Sequence, residues 1–121
     1  MKRDPRLQRL SSDHHHALVL ARRVAAGTMT ADELRARFAE ELKPHFAIEE
    51  RLLLPALRDV GAEDLAVRTL DDHAAIRAAV ASGALPEVAD RLTAHVRFEE
   101  RELFPACEER LPASVLDALR G

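Results

Sequence analysis

Tryptophan and tyrosine are absent from this chain, and its 121 residues include only four phenylalanines and four glycines. That shortage argues against sheet, where aromatic and β-branched residues concentrate. Alanine, leucine, arginine and glutamate abound instead, and all four are strong helix formers. There is a single cysteine, Cys107, so no internal disulfide staples the fold, and its place after an apolar stretch suits a packed small hydrophobe. Charge of one sign is missing too: 18 Lys and Arg stand against 21 Asp and Glu, for a net charge of −3. With no basic run longer than Arg22-Arg23, nucleic acid is not an expected partner. The densest apolar runs, ALVLA and LLLPAL, are far too short to span a bilayer, and the opening MKRDPRLQRL has no apolar stretch of signal-peptide length. The composition points to a soluble, cytoplasmic, all-α protein with no membrane partner.

A chain of 121 residues is long enough for one core and too short for two, so a single domain over 1–121 is expected. Its punctuation marks long helices. The first, over about 12–26, is capped by Ser11 or Ser12 and stops at Gly27. Thr30-Ala31-Asp32-Glu33 is a capping box that opens the second, which runs to about Asp59. The third covers about 63–82 ahead of Gly83, and Pro86 sits in the first turn of the fourth, which continues to about Glu109. The core bundle therefore spans about 12–109, and a short helix over about 112–120 closes the chain. Pro44, Pro55 and Pro105 fall inside these helices, where a proline removes a hydrogen bond and crowds the preceding turn, and kinks are expected there. Long segments joined by short links predict an antiparallel up-down four-helix bundle.

An internal repeat sharpens this. HFAIEERLLLPAL at 45–57 and HVRFEERELFPAC at 95–107 share seven of thirteen residues without a gap, where unrelated segments would match at roughly one position. Asp13-His14 and Asp72-His73 add a weaker echo in the first and third helices. The chain reads as a duplicated two-helix hairpin.

The repeat carries ionisable residues on apolar stripes. On the second helix, His45 and Glu49 share a face with Phe38, Leu42, Leu53 and Ala56; on the fourth, His95 and Glu99 share one with Val88, Leu92, Leu103 and Ala106. His73 aligns with Ala66, Leu70, Ile76 and Val80, and His14 with Leu18, Ala21 and Ala25. Every long helix thus turns one His inward. A buried carboxylate needs a partner, and no Lys or Arg on these faces offers itself to Glu49 or Glu99. Taken singly, an inward His such as His73 is more often a hydrogen-bonded core residue, and an HxxxE pair fits a surface charge pair, since the wider face with Arg51 and Arg101 is solvated. Taken together, the inward imidazoles and the duplicated HxxxEE point to metal. A His and a Glu four residues apart project side by side from a helix. Four nitrogens and two bridging carboxylates exceed one tetrahedral zinc and suit two octahedral ions about 3.5–4 Å apart, with iron first among them by ligand type.

The twin HxxxEExxLxP segments, His45 to Pro55 and His95 to Pro105, make the chain resemble the hemerythrin-like (HHE) family over about 12–108. The resemblance implies an up-down four-helix bundle with a non-haem diiron centre of two iron ions, bridging carboxylates and an open position for O2 or a related small oxidant. Carried over residue by residue, the metal ligands are His14, His45, Glu49, His73, His95 and Glu99. Oxygen-carrying members have a further His one turn after the one on the third helix, where this chain has Arg77; His15 and His16 are the available substitutes. Those members also take the fourth helix's carboxylate one residue later, so Glu100 competes with Glu99. Fewer protein ligands leave more open positions, favouring solvent, peroxide or nitric oxide over clean oxygen carriage.

Three functions follow: a diiron protein that binds or senses O2 or related oxidants, a redox enzyme acting on peroxide or nitric oxide, and a metal store or partner-binding bundle without chemistry. The outer proton donors available to an enzyme are Asp13, Asp72, Glu50 and Glu100. No matched nucleophile and base, phosphate loop or other cofactor fingerprint appears.

Overall fold

The computed structural model describes residues 3–119. Met1, Lys2, Arg120 and Gly121 lie outside the described residues, and with them the last position of the helix expected over 112–120. The protein is all-helical, 87% helix with no strand among the described residues. A 3-10 turn at Pro5–Leu7 leads into α1 (Gln8–Ala25); α2 covers residues 31–59, α3 Glu63–Ser82, α4 residues 85–110 and α5 Ala113–Ala118. α1 and α3 both pack along the Leu85–Phe98 stretch of α4, and α3 also meets the Leu54–Asp59 end of α2.

The expected boundaries of α2 and α3 match what forms, because their signals are local. Thr30 Oγ1 accepts from the Glu33 amide at 3.1 Å while Glu33 accepts from the Thr30 amide at 2.9 Å. Thr30→Ala removes half of that reciprocal cap and should lower stability by about 1 kcal/mol, read as a shift in the urea midpoint at unchanged slope. α3 ends where Gly83 adopts φ 75°, a left-handed conformation that a Cβ disfavours; a Cβ there would also stand 3.3 Å from the Arg35 guanidinium.

α1 begins earlier than expected. Neither Ser11 nor Ser12 caps it: Asp4 caps the preceding 3-10 turn by accepting from the Arg6 amide at 2.9 Å, and the helix is continuous through both serines. The reason is tertiary, since Leu7 and Leu10 are buried against α2, α4 and α5, which extends the helix beyond its local stop signals. Stripe assignments on three helices are corrected as well. Leu70 is 40% exposed, and Thr69 is buried in its place; Ala25 is exposed and Leu18 half-buried, with Ala17 and Val24 turned inward. Residues three and four before His73 both satisfy helical spacing, so the rotation of α3 against its neighbours makes the choice. Ala106 is only partly buried; the adjacent Cys107 is fully buried in the core.

The internal prolines are absorbed in a particular way. Each is preceded by a widened π turn, at Phe38–Leu42, Glu49–Leu53 and Glu99–Leu103. The residue before each proline donates five residues back: Lys43 to Phe38, Leu54 to Glu49 and Phe104 to Glu99. An enlarged turn thus carries each helix through its proline without a break, a device frequent at functional sites.

The core divides into two apolar clusters. One contains Ala17, Leu42, Phe46, Ile76, Leu92 and Val96, the other Leu10, Leu53, Ala66, Phe98 and Phe104. Along α1 and α3 the switch from one cluster to the other straddles His14 and His73; along α2 it falls after Phe46, between His45 and Glu49, and along α4 between Val96 and Phe98, between His95 and Glu99. A polar layer therefore crosses the middle of the bundle.

Candidate metal centre

All six residues singled out from the repeat and the inward stripes lie in that layer. His14, His45, His73, His95, Glu49 and Glu99 are buried, both glutamates completely. The HxxxE spacing on α2 and α4 aims each pair at the same point: His45 Nε2 stands 3.2 Å from Glu49, and His95 Nε2 3.2 Å from Glu99. α1 and α3 supply the opposite imidazoles, with His14 Nε2 at 2.7 Å from Glu99 and His73 Nε2 at 3.0 Å from Glu49. Two groups result, His14, His45, Glu49 and Glu99, and Glu49, His73, His95 and Glu99, with the ligand atoms of each within 4.8 Å of one another. The two glutamates belong to both.

Every imidazole presents Nε2 to the interior and Nδ1 to an outer carboxylate. His14 pairs with Glu100 at 2.6 Å, His73 with Glu50 at 2.6 Å, His45 with Asp13 at 3.0 Å and His95 with Asp72 at 2.8 Å. The pattern repeats between the halves: the second Glu of each motif holds the His of α1 or α3, and the Asp before that His holds the His of α2 or α4. Two rings are also stacked on phenylalanines, His73 on Phe46 with centroids 3.8 Å apart and His14 on Phe104 at 5.2 Å. His15 and His16 are exposed on α1 and lie outside both groups. Glu99 points into the layer; Glu100 lies outside it, on His14 and Ser11.

A family model for the hemerythrin HHE cation-binding domain matches residues 5–107. The chain belongs to that family. No curated protein and no solved structure matches it. An HHE domain is a cation-binding domain, and the two His/Glu groups are where the described residues can hold cations. The donor set fits. His45 Nε2, His95 Nε2 and one oxygen each of Glu49 and Glu99 are fully buried without a hydrogen-bond partner, and orphaned polar atoms in a core are costly unless something binds them. Outer carboxylates on Nδ1 leave the Nε2 lone pair of each ring available, the usual arrangement behind metal-bound histidine. No described helix is long and apolar enough to cross a membrane.

With no cation present, protons balance this HHE centre. Burial pushes the imidazoles down, but the charges and hydrogen bonds of the surrounding carboxylates outweigh it: His14 is raised, His45 is raised well above its ordinary value, and His95 reaches about 10. Burial favours the neutral form of Glu99, yet His95, His14 and His45 hold it well below the usual carboxylate range; burial likewise pushes Glu50, Asp72 and Glu100 up, and each ends lowered, Glu50 by Arg77 and His73, Asp72 by His95, and Glu100 by His14 and Ser11. The raised imidazoles stabilise the metal-free fold below pH about 6.5 and lose that contribution as pH climbs through their folded values, about 10 for His95. The lowered carboxylates contribute above pH about 4.5 and lose it in acid. The metal-free protein should therefore melt highest near pH 5–6.5 and several degrees lower by pH 10; a melting temperature that holds or rises across that alkaline range contradicts this charge balance.

Some of the centre's surroundings were not readable as site residues. Arg77 holds Glu50 through two contacts, at 2.8 and 3.2 Å, and so reaches His73 from outside. Its position four residues after His73 on the same helix was a usable signal. Phe46 and Phe104 as ring supports, and Arg3 beside Glu100, had none.

Proposed function

We propose that this protein holds two iron ions in an antiparallel up-down four-helix bundle, a single domain built from two hairpins, and binds or senses O2 or a related small oxidant such as peroxide or nitric oxide. The observation that carries it is the pair of four-residue groups sharing Glu49 and Glu99. His14 and His45 would hold one ion and His73 and His95 the other, with Glu49 and Glu99 available to both. A single closed tetrahedral zinc would use four donors, whereas six converge here, four of them nitrogens. When bound, the iron pair supplies a reversible change of oxidation state and open positions for a small ligand. The protein's own part is positional. Glu50, Glu100, Asp13 and Asp72 hold each ring with Nε2 inward, Phe46 and Phe104 brace two of them, and the apolar clusters on either side keep bulk water out. The cytoplasm suits a chain with one buried cysteine.

The test is metal per chain and the visible spectrum of iron-supplemented protein, reduced and then exposed to air. Two irons with an air-induced band, both lost in His45→Ala and His95→Ala, are expected. Less than one iron per chain, in a folded protein, rules the proposal out.

A second reading, turnover of peroxide or nitric oxide, is favoured by the outer acids. Asp13 and Asp72 are partly exposed and line surface cavities of about 290 and 210 Å3 that reach His45 and His95. They can pass protons between solvent and the imidazoles they hold. Steady consumption of oxidant by iron-loaded protein, reduced in Asp13→Asn and Asp72→Asn without loss of iron, distinguishes an enzyme from a binder.

A further inference from the structure

The two halves of the centre share the same pattern of outer carboxylates on their imidazoles but differ in what holds their outer glutamates. Around His73, Glu50 is gripped by Arg77 of α3. Around His14, the corresponding Glu100 is held by Arg3, from the segment ahead of α1, with Nη2 at 3.2 Å from its carboxylate, and by the Ser11 hydroxyl at 2.7 Å.

Arg3 is tied down on several sides. The same Nη2 donates to the Glu100 backbone carbonyl at 2.9 Å, Nη1 donates to Glu108 at 2.9 Å, and the guanidinium lies 5.6 Å from the centre of the Phe104 ring that stacks on His14. The neighbouring Asp4 amide donates to Glu108 at 2.6 Å. The carbonyl that Arg3 takes is one the helix cannot use. In the widened register of Glu99–Leu103, where each amide reaches five residues back, the partner of Glu100 would be residue 105, and residue 105 is proline. A carbonyl left open by Pro105, an outer carboxylate and the ring behind His14 all converge on one side chain. Residue 3 lies ahead of the stretch 5–107 that the family model covers.

We propose that Arg3 is a positioning residue for the His14 half of the centre, an N-terminal strap that orients Glu100 and, through it, the His14 imidazole. Arg77 does the same for His73 from within the bundle. The ion beside His14 thereby depends on the segment before α1, and the ion beside His73 does not. The effect on metal, though not on His14 itself, rests on the two-iron reading above.

The test uses the full chain and its Arg3→Ala, Arg3→Lys and Arg77→Ala variants. In metal-free protein, solvent exchange of the His14 Nδ1 proton, followed by NMR, is expected to quicken at least tenfold in Arg3→Ala with His73 unaffected, and the reverse in Arg77→Ala. Arg3→Lys, which keeps a cation beside Glu100, should recover part of the protection. In iron-loaded Arg3→Ala, a chelator should remove the first ion about 10–100-fold more readily, the usual penalty for losing an outer partner, and the second as in the parent. Unchanged His14 exchange in Arg3→Ala overturns the proposal, and so does equal quickening of His14 and His73, which would mean general loosening. Changed exchange with unchanged iron release overturns the link to the centre. A parent that binds no iron defeats the two-iron reading alone, since the exchange contrast still decides the strap.

Discussion

Glu49→Ala should empty both halves of the centre at once, leaving well under one iron per chain, whereas His14→Ala should leave about one. The difference follows from geometry. Glu49 and Glu99 each belong to both groups of candidate ligands, while each histidine belongs to one. Glu49→Ala also has a cost without metal. His73 Nε2 rests on Glu49 at 3.0 Å, and the pair is fully buried. Removing one partner of a buried hydrogen bond typically destabilises by about 1–3 kcal/mol, because the other is left unsatisfied. Glu49→Gln keeps the shape and loses the charge, so it should fold better than Glu49→Ala while binding as little iron. Iron analysis beside urea unfolding of metal-free protein checks both parts. Near-normal iron in Glu49→Gln would show that this carboxylate does not bridge.

Phe46→Ala is expected to be the most destabilising single change in the apolar core, at about 3–5 kcal/mol. Phe46 is 1% exposed, stacks on His73 at 3.8 Å and meets Phe38 edge-on at 5.7 Å. Its loss opens a cavity beside the polar layer as well as removing apolar contact, and a ring freed from its stack no longer holds Nε2 in line with Glu49. Phe46→Leu retains most of the volume and should cost less than half as much. Urea midpoints of the metal-free proteins measure this directly; a loss below about 1 kcal/mol for Phe46→Ala would mean the neighbouring side chains close the gap.

Arg77 shows how one residue reads differently before and after folding. In the sequence it marks the place where oxygen-carrying relatives have another histidine, a ligand missing. In the folded chain its guanidinium grips Glu50, which in turn holds His73. The position supports the centre from outside, and the open coordination expected from the missing histidine remains part of the proposed chemistry.

Several features were settled by local rules. The Thr30–Glu33 box, the stop at Gly83 and the limits of α3 depend on groups within a turn of one another, and a four-residue spacing places His45 beside Glu49 and His95 beside Glu99 in any helix. The repeat of those pairs, with one inward His on each of the other long helices, was enough to name six residues that meet in one buried layer. Other features depended on which helices touch and at what rotation. The early start of α1 rests on Leu7 and Leu10 meeting distant residues; the choice of Thr69 over Leu70 and of Val24 over Ala25 rests on helix rotation; and the contact of Arg3 with Glu100 joins residues 97 positions apart. Helical periodicity limits a side chain to a broad arc of directions, and only packing against neighbouring helices selects within it. The amino-acid order by itself therefore determined the helices and the paired donors they carry, while tertiary packing decided which outer side chains hold those donors in place.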